Sequence, residues 1–475
     1  MQMTSVASQS RSVSAEGADG PATLAHSTLE RLRLTFADGR TRTLQWRLAQ
    51  LEGLARLLNE NEDAIVAALD SDLGRPPADA WLADIAAVLA EIKTARSGLK
   101  KWMSDTTVRL PLMQAPGRGR VHREPQGIVL IIGPWNYPLY LTLGPLVGAL
   151  AAGNCAVVKP SEFAPRSSAL LAELLPRYID RDAVQVVEGG VPETSALIAA
   201  RVDHIFFTGS PAVGKRIMAA AAPHLTPVTL ELGGKSPVIV DDHADIAVAA
   251  RRIVWAKLMN SGQTCITPDY ILATDKVADK LTRAIVRTLK SFRPQPDPGL
   301  RIVDSRQFDR LLGLLNGHNG QIVHGGGTSR EGLTIEPTVI LDPDPDSEVM
   351  QEEIFGPILP IVTVKDLSAA IDFINAREKP LAAYLFSGSR TAADRVVAET
   401  SSGGVVINHI GLHCMAPNLP FGGVGNSGMG AYHGRWGYET MSHRKAVVTT
   451  STRPDPPLLY PPARTWKQRI LRRFF

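Results

Sequence analysis

Between residues 27 and 103 apolar side chains recur three and four positions apart, as in Leu51, Leu54, Leu57 and Leu58 and again in Ile85, Val88, Leu89 and Ile92. That spacing lines one face of a 3.6-residue helix, so the first hundred residues read as packed helices. The segment 108–124 breaks the pattern with Pro111, Pro116, Gly117 and Gly119, and reads as an extended arm or hairpin. From 127 onward short apolar runs of buried-strand type at 127–132, 156–158, 184–187, 204–208 and 228–231 alternate with helical segments around 138–152, 166–178, 192–200 and 212–222. Such alternation is the rhythm of a parallel α/β sheet. A second series of strands near 238–240, 270–273, 338–341, 358–364, 384–387 and 404–407 predicts a second α/β domain. No internal repeat is evident.

Composition narrows the class. At 475 residues the chain is too long for one core, so two or three domains are expected, with interior enough for a cleft between them. With 44% hydrophobic and 21% charged residues and 40 glycines, a collagen, a wholly disordered chain and a disulfide scaffold are excluded. Cys155, Cys265 and Cys414 are odd in number and widely spaced, which argues for a reducing compartment and hence the cytoplasm. The uncharged stretch 127–158 is long enough to span a membrane, but Pro134, Asn136, Pro138 and Pro145 divide it into strand, turn, buried helix and strand. Residues 1–27 are rich in Ser, Ala and Gly and include Glu16 and Asp19; they resemble neither a signal nor a transit peptide and read as a disordered lead-in.

Charge is concentrated at one end. Arg464, Lys467, Arg469, Arg472 and Arg473 give 461–475 a charge of +5, and the total of +4 leaves −1 for the rest. A near-neutral body with a basic tail gives no footprint for nucleic acid. In the tail Trp466, Ile470 and Phe474 recur four apart, so a helix there would set an apolar stripe beside a basic face, suited to an anionic membrane surface. A tail docked on a partner subunit, or without order, is the alternative.

Candidate chemistry centres on Cys265, in Asn260-Ser261-Gly262-Gln263-Thr264-Cys265, downstream of Glu231-Leu232-Gly233-Gly234-Lys235. A thiol paired with a carboxylate suits covalent catalysis if its surroundings activate it, whereas an inert cysteine is a small buried apolar residue. Two motif matches mislead. Gly423-x-Gly425-x-x-Gly428 has no apolar strand before it and no acid about 20 positions on, and Gly209-Ser210-Pro211-Ala212-Val213-Gly214-Lys215 resembles a P-loop but carries Arg216 where Ser or Thr would hold magnesium. The second still reads as strand, tight loop and helix, able to hold a dinucleotide phosphate on backbone amides or to be a plain turn. Lys159 and Glu162 follow a strand, at the sheet edge where ligands bind; Glu162 could accept from ribose hydroxyls or form a solvated pair. Asn136, in Trp135-Asn136-Tyr137-Pro138, could donate to an oxyanion or cap a turn. His409 and His413 are four apart, but Gly411 intervenes and no third ligand is evident, so no metal site is read.

These motifs together, with Glu353-Ile-Phe355-Gly-Pro357 and Pro420-Phe-Gly-Gly, resemble the aldehyde dehydrogenase superfamily over about 28–463. Thr226-Pro-Val-Thr-Leu-Glu, Gln351-Glu-Glu-Ile-Phe and Gly425-Asn-Ser-Gly-Met-Gly are similar to its class 3 branch, which includes fatty aldehyde and coniferyl aldehyde dehydrogenases. The resemblance implies two parallel-sheet α/β domains, a Rossmann-like NAD domain (28–106 and 126–231) and a catalytic domain (232–428). It also implies a small oligomerisation arm (107–125 and 440–452), a basic tail (453–475) and a homodimer joined through the arm and a strand near 446–450.

The implied mechanism has Cys265 as nucleophile, Asn136 and the Cys265 N–H as oxyanion donors and Glu231 as the base that hydrolyses the thioester. Lys159 and Glu162 would hold the adenosine ribose, Gly209, Ser210 and Gly214 the pyrophosphate, and Glu353 and Phe355 the nicotinamide ribose, with Trp135 and Leu232 also beside the cofactor. Glu162 favours NAD, and the branch often accepts NADP as well. The expected reaction is oxidation of an apolar aliphatic or aromatic aldehyde to the acid. A coenzyme A-acylating enzyme is the rival, disfavoured by Glu231, and a retired enzyme acting as a binding protein is a third reading. Relatives usually carry Asn-Asp where this chain has Asn408-His409, and the following Ile410-Gly411-Leu412-His413-Cys414-Met415 lies where the family lines its aldehyde tunnel, so the substrate does not carry over.

Overall fold

The computed structural model describes residues 20–453 apart from 294–299, together with 455, 458 and 460–474. Most of the lead-in expected at 1–27 therefore lies outside the described residues, but its last part is corrected: a helix runs over Pro21–Ala37. Proline at its first position is pre-set for helix entry, and Ala25, Leu29 and Leu32 recur at helical spacing on its buried side.

The first half of the chain builds a six-stranded sheet. Strand Ile128–Ile132 lies between Cys155–Lys159 and His204–Thr208, with Val184–Val186 beyond the former and Val228–Glu231 beyond the latter; these five are parallel. Gly428–Met429 closes the far edge antiparallel to Val228–Glu231. The chain thus moves outward one way from the central strand and then returns to build the other side. Where that direction reverses, the loops at the carboxyl ends diverge and open a crevice.

Alternation within each strand explains why the runs are apolar throughout. Val129 and Ile131 join a core with Leu54, Leu58, Val88, Ile92 and Leu146, whereas Ile128, Leu130 and Ile132 join Leu29, Leu32, Ile205 and Phe207 on the opposite face. Both faces are covered, so neither register is polar. The uncharged 127–158 stretch resolves into strand Ile128–Ile132, helix Tyr140–Ala152, buried at all 13 positions, and strand Cys155–Lys159. That helix is well short of the ~20 residues a bilayer requires. Among the described residues no helix is long and apolar enough to cross a membrane.

A seven-stranded sheet follows in the order Gln321–His324, Thr338–Leu341, Ile358–Val364, Tyr270–Thr274, Pro237–Val240, Ala382–Phe386, Gly404–Ile407, parallel except for its first pair. Gln321–His324 had no signal in the sequence. It is a partly exposed edge strand among glycines, without the apolar run that marks a central one. The arm is real as a structural unit: Thr106–Val108 and Ser442–Thr449 flank Arg118–Pro125 in an antiparallel sheet. The tail forms helix Thr465–Phe474, in which Trp466 and Ile470 are exposed. Lys467, counted in the basic face from sequence, is instead buried, its ammonium donating to the Tyr460 carbonyl at 2.6 Å.

Candidate active site

Carboxyl ends of the first sheet's strands present Asn136, Glu162, Ser210 and Leu232 on one side of a cavity-bearing crevice. Cys265 and Glu353 arrive from loops that precede strands Tyr270–Thr274 and Ile358–Val364 of the second sheet. A cavity of 1170 Å³ lies between them, and Trp135, Asn136, Gly209, Ser210, Glu231, Leu232, Cys265, Glu353 and Phe355 all line it. Lys159, Glu162 and Gly214 do not line it. The first two form an ion pair at 2.7 Å at the end of the neighbouring strand, Lys159 buried and Glu162 partly open. Gly214 works from behind, since a Cβ there would stand 2.8 Å from Leu232 Cδ2; its bareness lets helix Pro211–Ala221 close on the Leu232 segment.

The loop carrying Cys265 is tightly determined. Asn260 and Ser261 take left-handed backbone at φ 50° and 52°, conformations that cost energy outside glycine and asparagine and here end the helix Ile246–Leu258 so that the chain turns into the cavity. A Cβ at Gly262, also at positive φ, would stand 2.2 Å from the Gly356 carbonyl, so the cysteine loop lies directly on the Glu353 loop. Asn136 donates its side-chain amide to the Gln263 carbonyl at 3.0 Å, and Asn260 donates to the Asn136 carbonyl at 3.0 Å. Tyr137 and Thr264 share a hydroxyl hydrogen bond of 2.7 Å.

Electrostatics at the site oppose ionisation. Burial, then Cys414, Glu353 and Glu231 as negative neighbours, pushes the Cys265 thiol well above its usual range, and only its own backbone N–H pulls the other way. Among the described residues the charges that act on the thiol are acidic and oppose its ionisation. Burial likewise raises the Glu231 carboxyl well above normal, with His433 opposing the shift. Glu231 is 3% exposed, and among the described residues neither of its oxygens has a hydrogen-bond partner. Buried polar groups are nearly always paired, so an orphaned carboxylate facing a cavity is a candidate proton carrier. Glu353 is pushed up to about 8, chiefly by burial and then by Asp269.

Several residues that hold the site had no role assigned to them from the sequence. Lys235 pairs with Asp269 and donates to the Val349 and Glu352 carbonyls at 2.8 Å each, while Asp269 accepts from the Ile354 N–H at 2.9 Å. Arg310 donates to the Glu353 and Ile354 carbonyls. Together they fix the loop bearing Glu353 and Phe355, whose ring meets Trp135 edge-on at 5.3 Å. Only Lys235 carried a signal, as the end of Glu231-Leu-Gly-Gly-Lys. Beyond Glu231, His433 sits against Glu91 at 2.6 Å and is pushed up to about 9, burial opposed by Cys414 and Glu91.

The other flagged residues resolve simply. Gly425 and Asn426 touch the cavity rim, but Gly428 pairs with Glu231 in the sheet, so the Gly423–Gly428 pattern is sheet edge. His409 packs edge-on to Trp255 at 6.0 Å. His413 is buried near Tyr384 and Phe421, its pKa lowered to about 4 by burial and by His433. Gly411 is at φ 73°, so its glycine answers a left-handed turn.

Two α/β sheets meeting at a cavity lined by a partly buried thiol, a buried carboxylate and a side-chain amide make a site suited to covalent catalysis on a carbonyl group. Comparison with known proteins agrees: the aldehyde dehydrogenase family profile matches residues 2–447. The rat protein described as "Aldehyde dehydrogenase, dimeric NADP-preferring" is 49% identical over 429 residues, 89% of this chain and 94% of that one. Rat aldehyde dehydrogenase family 3 member A2 is 49% identical over 91% of this chain and 90% of its own length, and Arabidopsis thaliana family 3 member H1 is 47% identical over 94% of each. A substrate-bound Staphylococcus aureus AldH superposes with a TM-score of 0.91 at 43% identity, covering 94% of this chain and 99% of that one. The chain belongs to the aldehyde dehydrogenase family, in its class 3 branch, and is an NAD(P)-dependent enzyme that oxidises aldehydes to acids.

Proposed function

We propose that this enzyme oxidises an apolar aliphatic or aromatic aldehyde through a covalent adduct on Cys265, with Asn136 as oxyanion donor and Glu231 as hydrolytic base. The observation that carries the reading is that these three residues, distant in sequence, line one cavity. Cys265 packs beside a core cluster containing Tyr137, Tyr140, Phe421 and Tyr432, which supports an apolar substrate.

The Cys265 thiol gives its proton to water, the thiolate Sγ adds to the carbonyl carbon, and the resulting oxyanion accepts from the Cys265 backbone N–H and the Asn136 amide. One amide hydrogen of Asn136 is committed to Gln263, which orients the group and leaves the second for the oxyanion. Oxidised nicotinamide, when bound, supplies the hydride acceptor and a positive charge near the thiol. Glu231 then takes a proton from water as that water attacks the thioester, releasing the acid and restoring Cys265. Its unpaired oxygens leave it free to do so, and its raised pKa makes it a stronger base once ionised.

The residues present fit a dinucleotide. Ser210 caps helix Pro211–Ala221, whose positive end faces the cavity through Ser210, Pro211 and Ala212, the setting in which helix N-termini hold pyrophosphate. The Glu353 carboxylate packs against the bare backbone of Gly233, where Glu353 and Phe355 approach from the other sheet, opposite Trp135 and Leu232. Glu162 would accept from the adenosine ribose, favouring NAD, while the paired Lys159 offsets part of the charge that a 2′-phosphate would meet.

Retention of Glu231 favours hydrolysis over transfer to coenzyme A. An assay of aldehydes of rising chain length and cinnamyl types, with each cofactor and without coenzyme A, tests the whole reading. Acid product with stoichiometric NAD(P)H is expected, and product only in the presence of coenzyme A would replace it with the acylating reaction. A homodimer is proposed through the arm, where Ser442–Thr449 forms a free sheet edge. The three free thiols are consistent with a reducing, cytoplasmic setting. The exposed tail helix, with Trp466 and Ile470 beside Arg469, Arg472 and Arg473, supports peripheral contact with an anionic membrane.

A further inference from the structure

Arg75 and Asp84 are 1% and 0% exposed and form an ion pair inside the helical layer, distant in sequence from every residue that the motifs single out. Taking both charges out of water is expensive, and such pairs add little stability compared with apolar residues of similar volume. Burial indeed pushes the Asp84 carboxyl above its ordinary range, with Arg75 pulling the other way. The pair must be understood by what it touches.

Asp84 lies in a π-helical stretch, Trp81–Ala86, a rare wide turn often associated with functional sites. One of its oxygens accepts from the Leu139 and Tyr140 backbone N–H groups at 3.1 and 2.9 Å. These open helix Tyr140–Ala152, whose own N-cap position, Leu139, supplies no side-chain cap. Asp84 is therefore the helix's cap, delivered from another element. Arg75 donates to the backbone carbonyl of Asn136, and its guanidinium lies 4.5 Å from the Tyr137 ring centroid. The Asn136–Tyr140 segment is thus gripped from behind by both members of the pair. From the front it is gripped by Asn260, Gln263 and Thr264 of the cysteine loop.

We propose that Arg75 and Asp84 are positioning residues for the oxyanion site: they hold the Asn136 amide at the distance from Cys265 at which it meets the developing charge. This rests on the oxyanion role proposed for Asn136. Pre-organised donors are effective only if they do not move as charge develops, and a support fixed by an ion pair, two amide hydrogen bonds and an aromatic face provides that rigidity.

The test is the double variant Arg75→Met/Asp84→Asn in the full chain, with Arg75→Lys as a second variant that keeps both buried charges in case the first does not fold. Asn at 84 retains an oxygen for the Leu139 and Tyr140 amides. The pre-steady-state NAD(P)H burst should slow by about tenfold to about a hundredfold, somewhat less than loss of the donor itself. Cofactor Kd and the rate of Cys265 alkylation by iodoacetamide should stay within about twofold, which a general loosening of the fold would not permit. Arg75→Lys, whose single ammonium cannot both pair with Asp84 and reach the Asn136 carbonyl as a fork does, should slow the burst by about three- to tenfold. In an Asn136→Ala background the double variant should add less than about twofold, because the pair acts through that amide. A wild-type burst rate in the folded double variant or in Arg75→Lys, or a full multiplicative loss on top of Asn136→Ala, overturns the proposal. A wild-type burst in Asn136→Ala alone would remove the oxyanion role itself and this inference with it, so the two failures are distinguishable.

Discussion

The side-chain amide of Asn136 donates to the backbone carbonyl of Gln263 at 3.0 Å, across 127 residues of sequence. This one bond joins the carboxyl end of a strand in the first sheet to the loop that carries Cys265 ahead of the second. Any relative movement of the two halves of the cavity changes the distance between amide and thiol, so the geometry proposed for catalysis depends on how the sheets are held together.

Replacing Cys265 with alanine removes the atom proposed to form the covalent bond, while the strand ends assigned to the cofactor are untouched. Oxidation should fall below about a hundredth of wild type, with NAD(P) binding preserved by fluorescence titration. Turnover above that bound would exclude Cys265 as the nucleophile.

Glu231→Gln should leave a rapid NAD(P)H burst and slow the steady state that follows, since deacylation loses its base. Burial raises the Glu231 carboxyl, so below that raised pKa it is protonated and cannot accept a proton; steady-state kcat in the wild type should climb with pH and then level off. The variant should lack this limb. Equal slowing of burst and steady state would contradict the base role.

Glu162→Ala should shift preference toward NADP, because a 2′-phosphate would then meet Lys159 without its paired carboxylate. The quantity to follow is the ratio of kcat/KM for the two cofactors. No movement in that ratio would dissociate Glu162 from the ribose.

Deleting 461–475 tests the tail. If helix Thr465–Phe474 binds membranes, the full chain should cosediment with anionic vesicles, less so as salt is raised, and the truncated chain should not. Equal binding by both forms removes the tail from the interaction.

His204 is buried on its strand, bonds Thr229 Oγ1 at 2.9 Å, and has its pKa lowered to about 4 by burial. Its folded pKa lies below the unfolded value, so the unfolded chain binds the extra proton; stability is fully present above about pH 6.5 and is lost as pH falls toward 4. Between about pH 7.5 and about pH 5.5 the linkage is worth about 1.3 kcal/mol. Urea midpoints for wild type and His204→Gln should show a shallower acid decline in the variant, and parallel declines would count against the assignment.

Much of this architecture was legible because it is written in local patterns. Apolar runs in Ile128–Ile132 and His204–Thr208 marked strands covered on both faces, and the helical spacing of Leu51, Leu54 and Leu58 marked the layer packed on them. Short motifs identified Cys265, Glu231 and Asn136, and the fold brings all three to one cavity. Strand Gln321–His324 escaped because an exposed edge strand needs no apolar run, and the start of helix Pro21–Ala37 escaped because small residues dilute its pattern.

Residue order alone determined which side chains were available and which segments favoured helix or strand, since those preferences act over a few neighbouring positions. Only the tertiary structure decided that Arg75 meets the Asn136 carbonyl, that Glu91 meets His433 across 342 residues, and that Lys235 and Asp269 hold the Glu353 loop. It alone surrounded Cys265 with low-dielectric protein and acidic neighbours, and buried Glu231, so that both pKa values rise. Desolvation and long-range hydrogen bonding depend on what the remainder of the chain places around a group, and no local pattern carries that information.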